Sequence, residues 1–145
     1  MMILRVMPAI AATLLLLCVP NANSAEGSAD PLVATVAKGQ HLFAMEKFGG
    51  NGKTCESCHL GGGKTSGMLP NGRKLPSLIN AAAIFPRYAS SLQQAVTLEG
   101  QIRKCIQGGL EGTAPEYGGI DLVALVTYLG SIAYGQTVDI GGVPK

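Results

Sequence analysis

The sequence contains no tryptophan, and three phenylalanines and four tyrosines make up its 5% of aromatic residues. Because aromatic side chains supply much of a domain's buried apolar area, the side chains alone build a modest core. Basic residues are not in excess either: eleven Lys and Arg become ten once a leader containing Arg5 is removed, against nine Asp and Glu. This balance argues against a nucleic-acid-binding protein, which normally presents a basic face.

Long hydrophobic runs are absent beyond the N-terminal segment "MMILRVMPAIAATLLLLCVPNANSA". That segment has the layout of a secretory signal peptide, with basic Arg5, an apolar stretch and then small residues. The apolar stretch from Ala9 to Val19 is shorter than the roughly 20 residues of a membrane-spanning helix. We predict a cleaved signal peptide over residues 1–25, with Ala22 as a second cleavage point, and a periplasmic protein without a membrane span. An uncleaved anchor is the alternative.

Cysteine is scarce as well, because removal of Cys18 leaves Cys55, Cys58 and Cys105. In "KTCESCHLGGG" the first two are separated by two residues and followed directly by His59. This spacing is typical of covalent haem c attachment, in which two thiols bond to the vinyl groups and the histidine binds the iron. A thioredoxin-like pair needs a βαβ setting, and a zinc site needs a second close pair of ligands. We predict one covalent haem c, which also supplies the missing apolar contact.

Two helices are predicted near the ends of the domain. The first, "LVATVAKGQHLFAMEKF", contains Gly39, which permits close approach of another backbone, and an imperfect apolar face of Val33, Val36, Leu42, Phe43 and Met45. The last, "DLVALVTYLGSIAY", begins at Asp121 and has an apolar face of Leu122, Leu125, Val126, Leu129 and Ile132. Between them, residues 60–76 read as a loop, and a short helix is expected in "SLINAAAI" before Pro86.

A helix before and a helix after a haem motif resemble the arrangement of class I cytochromes c. The resemblance implies an all-α, single-domain fold around one covalently bound haem, with the two terminal helices crossing. We place an N-terminal linker at residues 26–34, the cytochrome c domain at 35–135 and a C-terminal tail at 136–145.

A further helix is predicted in "TLEGQIRKCIQGG", with Thr97 as its N-cap and its end at Gly108 or Gly109. Cys105 shares one stripe of this helix with Leu98, Ile102 and Ile106, so we expect it to point inward, toward the haem.

The second axial ligand of the iron must come from a short set of residues. After signal cleavage the candidates are His41, Met45, Met68 and Cys105, with water or lysine as further alternatives. His41 and Met45 lie in the first helix, where exposure or packing is the simpler interpretation. Met68 follows His59 by only nine residues, but the chain between them is long enough to reach the iron.

The chain from Cys55 to Tyr134 resembles the haem domain of thiosulfate dehydrogenases and of the A subunit of the sulfur-oxidation (Sox) cytochrome complex. The matching segments are "CESCHLGGG", "FPRY", "TLEGQIRKC" and "YLGSIAYG". The resemblance implies that Cys105 is the distal ligand of the haem iron, ahead of Met68. A thiolate ligand favours ferric iron and lowers the reduction potential. The alternative is that Cys105 is a small buried hydrophobe.

Two functions follow from this resemblance. The first is an exported monohaem cytochrome that transfers electrons in thiosulfate oxidation and docks on other periplasmic redox proteins or cytochromes. The alternative is a catalytic subunit that joins two thiosulfates, or forms a cysteine-bound sulfur adduct, at Cys105. A third interpretation, a haem-based sensor with a displaceable Cys105, has no specific feature in its support.

Departures from the family pattern weigh against catalysis. Gln101 replaces a basic residue of that pattern, and Gly100 replaces an acidic one. Several basic side chains could still bind an anion, although scattered ones are more often solvated: Arg73, Lys74, Arg87, Arg103 and Lys104.

Overall fold

The computed structural model describes residues 30–69 and 71–145, so the predicted signal peptide and residues 26–29 of the predicted linker lie outside the described residues. Residues 31–34 of that predicted linker are helical and belong to the first helix. Within those ranges the chain forms four α-helices and two short antiparallel strand pairs. The helices are α1 (Pro31–Met45), α2 (Ala81–Ile84), α3 (Leu98–Gly109) and α4 (Ile120–Ile132). Strand β1 (Gly67–Met68) pairs with β2 (Lys74–Leu75), and β3 (Arg87–Ala89) pairs with β4 (Gln94–Val96).

Helices α1 and α4 pack closely against each other, as predicted for the two terminal helices. A Cβ atom at Gly39 would overlap the carbonyl oxygen of Ala124, so only glycine permits this approach. One turn further along α1, the ring of Phe43 lies 5.5 Å from that of Tyr128. These contacts hold the backbones of α1 and α4 close together.

The apolar face of α1 is narrower than the prediction, because Val33 and Met45 are exposed. The helix ends at Met45, and the carboxylate of Glu46 then accepts a hydrogen bond of 2.8 Å from the backbone N–H of Phe48. Phe48 adopts a left-handed φ of 54° and is buried. The chain therefore turns away from the helix axis, and Phe48 joins the buried core whereas Met45 stays exposed.

Helix α3 completes the core. As predicted, the Thr97 hydroxyl caps it, accepting a hydrogen bond of 3.1 Å from the backbone N–H of Gly100. Ile102 and Ile106 on its inner face join residues of α1 and α4 in one buried cluster. The helix is thereby fixed on the rest of the domain, with Cys105 on the turn between these two isoleucines.

The segment predicted as a C-terminal tail packs against α2. Asn80 is a buried polar residue, and its side-chain amide donates a hydrogen bond of 2.9 Å to the carbonyl of Val143. Its side-chain oxygen accepts a hydrogen bond of 3.2 Å from the backbone N–H of Lys145. The N–H of Gly141 donates 2.8 Å to the carbonyl of Ile84 at the end of α2. Residues 136–145 therefore satisfy polar groups that α2 and its N-cap would otherwise leave buried without partners.

Across residues 30–69 and 71–145, no helix combines the length and the apolar character that a membrane crossing requires.

Candidate haem site

The predicted attachment motif forms one tight turn. A 3₁₀ turn spans Cys55–Ser57, and the carbonyl of Cys55 accepts hydrogen bonds of 3.2 Å from the N–H of Cys58 and 3.0 Å from that of His59. The turn is held at its start by the N–H of Thr54, which donates 2.9 Å to the hydroxyl of Ser57. All three predicted haem-binding residues, Cys55, Cys58 and His59, line one cavity of about 90 Å³.

Cys105 faces the same space from a different element. It lines the cavity just described and a second, apolar one of about 50 Å³, and Cys55 and His59 line both. The walls of the second cavity are otherwise Phe43, Leu78, Ile102, Leu125 and Leu129. We call the space formed by these two cavities the cleft. Cys105 points toward the cleft, as predicted, but its side chain is open to it and is not part of the buried core.

The other ligand candidates lie elsewhere. His41 is exposed on α1, and Met45 is 63% exposed. Met68 is 55% exposed, and it follows Gly67, at which a Cβ atom would overlap the carbonyl oxygen of Cys58. Because successive side chains of a strand point to opposite faces, Met68 points away from the attachment turn. Neither methionine lines the two cavities that His59 and Cys105 share.

Burial sets the protonation of the imidazole. It lowers the pKa of His59, an effect that the nearby backbone of Pro76 partly opposes by favouring the charged form. Neutral imidazole is the form that binds a metal. The Nδ1 atom of His59 is buried and makes no hydrogen bond within the described part of the chain.

The two facing thiols are also affected by burial. It raises the pKa of Cys55 to about 12, with a smaller contribution from the negative charge of Cys105. Although Cys105 is open to the cleft, the protein around its thiol is close enough to raise its pKa too. A hydrogen bond from the Gln101 amide and the positive charge of Lys104 oppose that rise. Both thiols therefore meet an apolar surrounding that disfavours a free thiolate.

These residues fit a covalently bound haem. Two thiols and an imidazole with an unpartnered buried nitrogen stand on one turn, a third thiol faces them, and the intervening walls are apolar. Among residues 30–69 and 71–145 no group of three or more His, Cys, Asp and Glu side chains is arranged to hold a metal ion. The zinc alternative therefore gains no support from this part of the chain.

A wider and more polar cavity of about 360 Å³ also reaches His59. Arg87 and Lys104 line it, so two of the predicted anion-binding residues do meet in one cavity. Arg103 does not join them, because its guanidinium donates to the carbonyl of Pro115 and lies 4.5 Å from the centre of the Tyr117 ring. Arg103 thus holds the chain after α3 in place.

Two hydrogen bonds near this site were not predicted from the sequence. The amide of Gln101 donates to the sulfur of Cys105 at 3.2 Å, and the hydroxyl of Tyr128 donates to the carbonyl of Gly62 at 2.8 Å. The first contact could have been predicted from the spacing in the sequence, because residues four apart on a helix share a face. The second pairs residues that are far apart in sequence, and no local pattern indicates it.

Comparison with known proteins supports the resemblance found in the sequence. A thiosulfate dehydrogenase from Psychrobacter arcticus is 29% identical over 80 residues, which are 55% of this chain and 22% of that protein. One from Thiomonas intermedia is 30% identical over 90 residues, which are 62% of this chain and 26% of that protein. This chain therefore spans about a quarter of the length of these relatives.

A solved structure shares the fold. Thiosulfate dehydrogenase (TsdBA) from Marichromatium purpuratum, in its as-isolated form, superposes with a TM-score of 0.60 and 26% identity, over 78% of this chain and 25% of that one. Together with the four helices of the described residues, this confirms a cytochrome c domain, a domain type that implies covalently bound haem c. The two short strand pairs depart from the all-α expectation. The profile of the SoxA/TsdA cytochrome c domain family matches residues 38–138, and the protein belongs to that family.

Proposed function

We propose that this protein is an exported, monohaem c-type cytochrome that transfers electrons in the oxidation of thiosulfate or related sulfur compounds. Cys55 and Cys58 would attach the haem, and His59 and Cys105 would be the protein ligands of its iron. The observation that carries the proposal is that His59 and Cys105, on separate elements, line the same two cavities. Membership of the SoxA/TsdA cytochrome c domain family supports the link to sulfur oxidation.

Haem c, when bound, supplies a one-electron ferric/ferrous couple. The chain's own residues set the conditions for it. The 3₁₀ turn holds both thiols and the imidazole in one place, and burial lowers the pKa of His59, which favours the neutral imidazole that binds a metal. Phe43, Ile102 and the other apolar residues of the narrow cavity exclude water from the space between His59 and Cys105.

The export proposal rests on the sequence of residues 1–25, and it places the protein in the periplasm, where other redox proteins or cytochromes would be its electron partners. An electron carrier needs only the haem and a docking surface. Two features favour it over catalysis: Gln101 stands where the family pattern has a basic residue, and Arg103 is engaged by Pro115 and Tyr117.

A catalytic role in thiosulfate oxidation is the second candidate, and one observation favours it. Arg87 and Lys104 both line the wide cavity that reaches His59, and two cations in one cavity suit a small divalent anion. In this reading thiosulfate reacts at Cys105.

The first test is the spectrum of the ferric holoprotein. We expect the low-spin electron paramagnetic resonance signals of a thiolate-bound haem, and their complete loss in Cys105→Ala. Met68→Ala is the matched control and should leave the spectrum unchanged, because Met68 is exposed and lines neither of the cavities that His59 and Cys105 share. A near-infrared charge-transfer band typical of methionine ligation that disappears in Met68→Ala would contradict the assignment of Cys105.

The second test separates carrier from catalyst. Thiosulfate-dependent reduction of an electron acceptor is measured with the holoprotein alone and with candidate periplasmic redox proteins added. Turnover that is lost in Cys105→Ala would establish the catalytic role, whereas electron exchange with a partner without thiosulfate turnover supports the carrier.

A further inference from the structure

The side chain of Gln101 makes a direct contact with the thiol of Cys105. Its Nε2 atom lies 3.2 Å from the sulfur and donates the hydrogen bond. Gln101 is half-buried and lines the wide cavity, whereas Cys105 lines the two narrow cavities with His59. The amide therefore lies between the wide cavity and the sulfur of Cys105.

The contact restricts the direction of the sulfur. A cysteine side chain has three staggered positions about its Cα–Cβ bond, and Gln101 stands one helical turn before Cys105. Because helical side chains lean toward the preceding turn, the amide meets the sulfur when Cys105 faces the cleft that His59 also lines.

The chemistry of an amide donor is specific. A glutamine side chain donates N–H groups without adding charge at any physiological pH, unlike the lysine or arginine that could replace it. A carboxylate at the same place would accept hydrogen bonds only and would repel a thiolate. Hydrogen bonds to a metal-bound cysteine sulfur withdraw electron density from it and thereby tune the reduction potential of the metal.

We propose that Gln101 is a positioning residue for Cys105: its amide holds the sulfur toward His59 and, once that sulfur binds the haem iron, weakens the electron donation of the thiolate. This inference rests on the proposed His59 and Cys105 ligation and deepens it. Since a less electron-rich sulfur stabilises ferric iron less, the hydrogen bond raises the reduction potential above that of a thiolate without a donor.

The test compares Gln101→Leu, which keeps the size of the side chain and removes the donor, with the wild-type holoprotein. We expect about a tenfold shift of the one-electron equilibrium toward ferric haem, which is a potential about 59 mV lower. The ferric resonance signals should remain those of a thiolate complex but become broader or split, because the sulfur is no longer held in one position. Gln101→Arg, which keeps N–H donors, should restore a single set of signals and a potential no lower than that of the wild type.

Gln107→Leu is the matched control, because Gln107 is an exposed glutamine on the same helix that lines none of these cavities. Its potential and spectrum should equal those of the wild type. If Gln101→Leu does not accumulate as holoprotein, Gln101→Ala, which suits a helix and also lacks the donor, is measured in its place.

The outcomes separate this inference from the function on which it rests. A thiolate spectrum in the wild type with an unchanged potential and spectrum in Gln101→Leu overturns the role of Gln101 and leaves the ligation standing. A wild-type spectrum without thiolate signals overturns both. Equal shifts in Gln101→Leu and Gln107→Leu also overturn the inference, because they would reflect a general change in the helix.

Discussion

At the scale of single residues, Tyr128 fixes the loop that follows the haem-attachment turn. Its hydroxyl donates a hydrogen bond of 2.8 Å to the carbonyl of Gly62. The N–H of Gly62 in turn donates a hydrogen bond of 2.9 Å to the carboxylate of Glu56. Both backbone groups of Gly62 are therefore satisfied, one from α4 and one from the attachment turn. Because Gly62 stands three residues after His59, this contact ties the position of the imidazole to the core helix.

We predict that Tyr128→Phe destabilises the holoprotein at neutral pH by about 1–3 kcal/mol, because it leaves the Gly62 carbonyl without its partner. The measurement is the free energy of unfolding in guanidinium chloride. Tyr134→Phe is the matched control, since Tyr134 is 92% exposed and its loss of a hydroxyl should have no measurable effect.

The same pair of variants tests how the stability contributed by Tyr128 depends on pH. Burial, and to a smaller extent the negative charge of Glu56, raises the pKa of Tyr128 above its unfolded value of about 10. The folded state therefore keeps the proton longer than the unfolded state, so this contribution is fully present below about pH 10 and is lost as the pH rises through the folded pKa. The stability difference between wild type and Tyr128→Phe should shrink above about pH 10. A difference that stays constant through that range would contradict the pKa shift.

The residue scale also shows what the sequence could predict. Helical phase was enough to place Cys105 beside Ile102, with which it lines the narrow apolar cavity, because that phase depends only on spacing. It could not reveal that Arg103 binds Pro115, since that contact depends on how the chain turns back after the helix. Side chains whose partners lie on their own helix are therefore predictable here, and those whose partners lie on a returning loop are not.

At the scale of elements, the close packing of α1 on α4 depends on Gly39. A Cβ atom there would overlap the Ala124 carbonyl and lie 2.7 Å from the Cβ of Tyr128, and neither neighbour is the end of a flexible side chain. We predict that Gly39→Ala destabilises the holoprotein by about 1–3 kcal/mol, because the two helices must separate to admit the methyl group. Urea unfolding monitored by circular dichroism measures the change.

Gly130→Ala supplies the matched control for this helix pair. Gly130 lies in α4, is exposed, and has open space around the position of an added Cβ atom. This substitution should stabilise the protein by up to about 1 kcal/mol through helix propensity alone. If both substitutions changed stability in the same direction and by a similar amount, close packing at Gly39 would not be the cause.

The elements differ in how well the sequence predicts them. Helices α3 and α4 were expected close to their observed bounds, because apolar residues recur at helical spacing over three turns or more. The strand pair β1 and β2 lies in the segment predicted as a loop, since strands of two residues are too short to show alternation. Residues 136–145 have no periodic pattern either, and their order comes from partners such as Asn80 that are distant in sequence.

At the scale of the whole molecule, a small net charge conceals an uneven distribution. From Lys53 to Leu110, which includes the attachment turn, both strand pairs and α3, seven basic residues accompany two acidic ones. From Glu111 to Lys145 the balance reverses, with four acidic residues and one basic residue. The elements around the cleft are therefore cationic, although the protein as a whole is nearly neutral.

This distribution predicts how electrons leave the protein. Oxidation of the ferrous holoprotein by anionic ferricyanide should slow as ionic strength rises, because salt screens attraction over a Debye length of about 10 Å at 0.1 M. A cationic cobalt(III) oxidant should show the opposite trend. At low salt, Lys74→Glu should reduce the ferricyanide rate by about 2- to 10-fold, because Lys74 is exposed beside Leu75, which lines the haem cleft.

Lys47→Glu makes the same change in net charge at an exposed position in the turn after α1 and serves as the control. Its effect on the ferricyanide rate should be smaller, provided that the reduction potentials of both variants equal that of the wild type. Equal effects of the two reversals would mean that net charge, and not the charge around the cleft, governs the encounter. A larger effect at Lys74 would locate electron exit at the cationic side of the cleft, and a protein partner that docks there would need an acidic surface.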